Sequence, residues 1–111
     1  MVISEIMAGK LGNNNYEFIE LYNRSSQAAD LKGWALWYRL PTSPEDLFVY
    51  RWTTPTLVAP RGHYLLVLEG TDLGLQPDAT YTQPLNITGG GLHLRQTDGG
   101  VRDRVGWGKA Q

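Results

Sequence analysis

The side chains of this chain that could do chemistry are few and poorly matched to one another. Two histidines, His63 and His93, have no third ligand at metal-binding spacing, and the alternation around each turns it outward, so both read as surface residues. Glu5, Glu17, Glu20 and Asp30 have the chemistry of a carboxylate cluster, suited to Ca²⁺ or to a glycosidase pair. The loop order of a helix-loop-helix calcium site is absent. The four acids therefore read as solvated sheet edges and turn hydrogen bonds. Ser25, Ser26 and Ser43 lie in polar stretches without a G-x-S-x-G elbow, so nothing marks an activated nucleophile. The run Gly89 to Gly91 lacks the helix and the Lys-Ser or Lys-Thr pair of a phosphate cradle and reads as a tight reversal needing positive φ. The absence of cysteine removes disulfides, thiolate nucleophiles and thiolate metal sites together. The expectation is a chain with no catalytic residue, no metal site and no cofactor.

Binding chemistry is better represented. Trp37 falls on the strand face opposite Trp34 and Leu36, where it can stack on a sugar ring, a base or a partner's side chain unless the loop Leu40 to Asp46 covers it. Arg39 and Arg51 share that outward direction. Trp37, Arg39 and Arg51 are thus the candidate binding surface, for a protein partner first and for nucleic acid or carbohydrate as the alternative. A formal net charge of -1 gives no global attraction to polyanions, so nucleic-acid binding would need a local basic patch and would be steeply salt-dependent.

The elements that must position these residues are strands. In 111 residues no stretch carries apolar residues at helical spacing, whereas short alternating runs separated by Gly, Pro and Asn recur along the chain. Val2 to Met7, Tyr16 to Asn23, Trp34 to Tyr38, Leu47 to Trp52, His63 to Glu69, Leu92 to Arg95 and Val101 to Trp107 are the clearest. The expected fold is an all-β, immunoglobulin-like β-sandwich of about eight or nine short strands, in one domain spanning residues 1–111 and cut from a longer protein. Ile19, Leu21, Trp34, Leu36, Tyr50, Trp52 and Val105 are expected to be nearly inaccessible. Phe48, Tyr50 and Trp52 fall on one wholly aromatic face of their strand, and Trp107 also faces the core. Asp30 followed by Gly33 fits a side-chain-capped turn. Asp103 shares parity with Val101, Val105 and Trp107, so it points inward and needs donors, unless a bulge shifts the register. No signal peptide or membrane span is visible in this chain.

The stretch YEFIELYNRSSQAADLKGWALWY resembles the opening of a lamin-tail domain, on Glu17, Ile19, Glu20, Leu21, Asn23, Asp30, Leu31, Gly33 and Trp34. VYRWTTPTLVAPRGHYLLV is similar to that family's aromatic-basic-aromatic strand and following turn, and GGGLHLRQTDGGVRDRVGWG to its closing hairpin, so the likeness covers most of residues 2–108. The resemblance implies an immunoglobulin-like docking module. In nuclear lamins such tails contact chromatin and inner-membrane proteins, and bacterial members sit beside hydrolase domains in exported or membrane-bound proteins. It further implies that Trp34, Trp52 and Trp107 are buried and that Arg51 stands at a basic, exposed position associated with ligand contacts. The function expected is a non-catalytic protein-interaction or targeting module of a larger, exported or cell-surface bacterial protein.

Overall fold

A computed structural model describes residues 1–10, 13–40, 45–70, 76–85 and 89–108. Ten strands, and no helix among the described residues, follow in chain order: β1 (Val2–Lys10), β2 (Asn13–Tyr22), β3 (Ala29–Asp30), β4 (Ala35–Arg39), β5 (Asp46–Arg51), β6 (Leu57–Val58), β7 (His63–Leu68), β8 (Ala79–Tyr81), β9 (Gly89–Arg95) and β10 (Val101–Gly108). They form two four-stranded sheets, ordered β1-β2-β7-β8 and β10-β9-β4-β5, with β3 and β6 as a separate pair. All pairings are antiparallel except β7 with β8. This is the immunoglobulin-like all-β sandwich.

Alternation explains the core. Ile19, Leu21 and Leu66 from one sheet and Leu36, Tyr38, Leu92 and Leu94 from the other are wholly buried, each at every second position of its strand. Trp52 closes one end of the core, with its ring edge-on to Tyr50 and Tyr64 at 5.0 and 5.7 Å. Trp34, Tyr50, Val105 and Trp107 are only partly buried, packed against the rim of the core. Trp34 precedes β4 and serves the backbone: its N–H donates to Leu31 and its carbonyl accepts from Trp52 at 3.0 Å.

Besides the register shifts within the β1-β2 pair, bulges in β5 and β10 change what strict alternation predicts. In β5 the register shifts between Leu36 and Trp37, so Val49 is an extra residue and both Val49 and Tyr50 turn toward the core. Phe48 is thereby separated from Tyr50 and Trp52 and stands on the outer face, 51% exposed. In β10 the shift falls between Val101 and Asp103. Val101 no longer shares a face with Asp103 and is turned outward.

The glycine run is not a reversal. Gly89 to Gly91 open β9, and the Asn run after Gly12 belongs to β2. Gly90 sits at φ +144°, and a Cβ there would meet Tyr38 Cε1 at 2.4 Å, so its glycine admits the Tyr38 ring. That ring stacks on Trp107 at 5.8 Å, and its hydroxyl donates to the Gly89 carbonyl at 3.0 Å.

Polar groups fasten the loops. Asn23, fully buried, donates from Nδ2 to the carbonyls of Gln27 and Val58 at 2.8 and 3.1 Å and accepts from Ser25 N–H. Asp30 Oδ1 accepts from the amides of Lys32 and Thr56 at 3.0 and 2.9 Å, the capped turn that its sequence predicts. Gly33 follows at φ +85°, where a side chain would strike Thr97. Glu17 is not solvated. It is 1% exposed, accepting from the Tyr81 hydroxyl at 2.8 Å and from the Leu85 amide.

Candidate functional site

The outer face of the β10-β9-β4-β5 sheet gathers the largest concentration of unlike chemistry. Register aligns its side chains in three rows across the sheet. The first runs Arg51, Ala35, Arg95, Val101; the second Phe48, Trp37, His93, Arg104; the third Asp46, Arg39, Gly91, Gly106. Each row takes one residue from each of four strands. Rows of this kind cannot be read from one segment of sequence.

Asp46 is the single acid in the three rows. Its Oδ1 accepts from Arg39 Nε at 2.9 Å, its Oδ2 is paired with Arg95 Nη2, and His93 Nε2 lies 3.3 Å from Oδ1 without meeting hydrogen-bond geometry. Burial pushes the Asp46 carboxyl up, but the Arg39 bond, the His93 charge and the Arg95 bond outweigh it and hold the group below the usual carboxylate range. His93 moves the other way. Burial lowers its pKa, against the pull of Asp46, so the imidazole is mostly neutral at pH 7. It occupies the outer face that the sequence predicts, yet its side chain is only 12% exposed, because the ion network closes over it.

Trp37 is covered as well, by a route the sequence does not show. The Arg95 guanidinium lies over its ring at 5.3 Å, and Phe48 meets it edge-on at 5.7 Å. The Leu40 to Asp46 loop falls partly outside the described residues, and Asp46 itself belongs to β5. Of the candidate binding residues, Trp37 and Arg39 share the outer face of β4, and Arg51 joins them from β5 across from Ala35. Arg51 and Arg104 are exposed and make no ion pair with a described residue. Sequence reading missed Phe48, His93 and Arg95 as neighbours of Trp37, and Arg104 as the next residue of its row beyond His93. The available signal was the outward parity of Gly91, His93 and Arg95 against buried Leu92 and Leu94.

The other candidate groups stay apart. Asp30 caps its turn, Glu20 accepts from Ser4 Oγ at 2.9 Å, and His63 stacks on Tyr22 at 4.7 Å, within 4.0 Å of Glu20. Among the described residues no three of His, Asp and Glu converge as metal ligands. Ser43 lies outside the described residues.

An immunoglobulin-like sandwich presenting a mixed aromatic and arginine face belongs to the class of interaction domains. The lamin tail domain family matches residues 1–109, essentially the whole chain, and the chain belongs to that family of non-enzymatic, immunoglobulin-like domains. No curated protein matches it in sequence.

Proposed function

We propose that this domain is a non-catalytic docking module that targets a larger, exported or membrane-associated bacterial protein to a protein partner, using the outer face of the β10-β9-β4-β5 sheet. One observation carries the reading. Phe48, half exposed, shares the outer face with Arg39, Arg51, Arg95 and Arg104, and Asp46 is the one acid in those three rows, which makes a basic and aromatic face on a chain of net charge -1. Aromatic and arginine side chains are the residues enriched at protein interfaces. The patch fits an acidic protein surface. A stacking site for a base or sugar is less well served, because Arg95 already occupies the Trp37 ring face.

The test places a photocrosslinking benzoylphenylalanine at Phe48 and, as a control on another surface, at Leu57, which is 72% exposed, each within the full natural protein in its own cell. A protein adduct from position 48 alone, weakened by Arg51→Glu, supports the docking face. Equal adducts from both positions, or an adduct removed by nuclease, overturns it.

A further inference from the structure

The third row of the outer face ends in a depression. Gly91 and Gly106 lie directly opposite each other, so no side chain rises from two adjacent strands, and the floor is bare backbone. Neither glycine has positive φ. An ordinary residue could adopt that backbone, so conformation does not require glycine at either position. Around this floor stand Arg39, next in the same row, and His93 and Arg104 in the row above.

The rim has unused donors. Arg39 gives its Nε to Asp46, and its two terminal nitrogens make no hydrogen bond to a described residue. Arg104 is exposed and makes neither a hydrogen bond nor an ion pair with one. His93 Nε2 is buried and faces Asp46 Oδ1 at 3.3 Å, so it forms part of the wall and is not counted among the free donors. The charge selects an anion. Arg39 and Arg95 share one acid, Asp46, and Arg104 has no acidic partner among the described residues, so the face carries a surplus of positive charge that an anion would offset.

We propose that this depression is a carboxylate-binding site that seats one aspartate or glutamate side chain of the docking partner, with the Arg104 fork and the terminal nitrogens of Arg39 as donors. Planar guanidinium groups match a carboxylate in two parallel hydrogen bonds, and the missing side chains let it approach the sheet. The inference rests on the docking reading for the source of the carboxylate. The site's affinity for the ion can be measured without any partner.

The experiment follows the backbone amide signals of Gly91 and Gly106 in the full chain while sodium acetate, sodium phosphate or sodium chloride is added at constant ionic strength. Acetate is expected to give a saturable shift, phosphate no tighter binding than acetate, and chloride none. Arg104→Gln should weaken acetate binding about tenfold, as loss of a charge-assisted hydrogen bond does. Arg104→Lys should lie between, and Lys32→Gln, on a different surface, should change nothing. Shifts that do not saturate, tighter binding of phosphate, or an unaltered affinity in Arg104→Gln would each overturn the assignment. These results are independent of the crosslinks from position 48, so failure of the carboxylate site and failure of the docking face are distinguishable.

Discussion

Asp103 Oδ2 accepts a hydrogen bond from the Ile3 amide at 2.7 Å, joining the edge strand of one sheet to the edge strand of the other. The carboxylate reaches inward because the β10 bulge ends just before it, and its donor is the open edge of β1 rather than a neighbouring turn. Asp103→Ala leaves the Ile3 N–H without its acceptor and is expected to cost about 1 to 3 kcal/mol. Asp103→Asn, which keeps an acceptor oxygen, should cost less. Urea unfolding of the two variants checks the order, and an unchanged midpoint for the alanine would show that the bond contributes nothing.

Two glycine substitutions should separate core from surface. Gly90→Ala forces a side chain into the Tyr38 ring at a backbone angle that favours glycine, and is expected to destabilise by roughly 2 to 5 kcal/mol. Gly106→Ala adds a methyl to an exposed outer position and should stay within about 0.5 kcal/mol. Equal losses in the two variants would contradict the placement of either residue.

Glu17 predicts a pH dependence of definite sign. Burial raises its pKa, against the donated hydrogen bonds of Tyr81 and Leu85, so the folded state binds this proton more tightly than the unfolded chain. Its contribution is therefore fully present below the unfolded glutamate value of about 4.3 and is lost as pH rises through the folded value. The stability difference between the wild type and Glu17→Gln should fall as pH is raised across that window. A difference that grows with pH would reverse the sign and the argument.

Asp46 has the opposite sign. Its folded pKa is lowered, so its contribution is present above the unfolded aspartate value of about 3.9 and disappears as the solution is acidified through the folded value. Asp46→Asn should also release Arg95 from its position over Trp37. With fluorotryptophan labelling, the Trp37 resonance is expected to become more sensitive to a soluble quencher, while those of Trp34, Trp52 and Trp107 hold. No change at Trp37 would mean that Arg95 stays in place without its acid.

Much of the sandwich was legible because a period of two is a local signal. Ile19 and Leu21 in β2, Leu36 and Tyr38 in β4, and Leu92 and Leu94 in β9 are buried on the face that alternation selects. The bulges in β5 and β10 were not legible, since inserting Val49 in β5 or shifting register after Val101 alters the count without altering composition. The glycine run misled for a related reason: positive φ at Gly90 serves the approach of Tyr38, a residue far away in sequence, and no turn is involved. The outer face was legible only in part. Trp37, Arg39 and Arg51 share a face by parity within their own strands, but Arg95 and Arg104 come from strands whose neighbours only the folded sheet decides.

The near-parallel stack of Tyr38 on Trp107, at an interplanar angle of 12°, has an optical consequence. Two aromatic chromophores held rigidly this close inside an asymmetric core should contribute to the near-ultraviolet circular dichroism of the domain. That share depends on β10 lying in place against β9 and β4, and it adds to the share of the Tyr50, Trp52 and Tyr64 cluster. The difference between wild type and Trp107→Leu isolates it, and detachment of the segment that carries Asp103 and Arg104 is then followed as the loss of that difference.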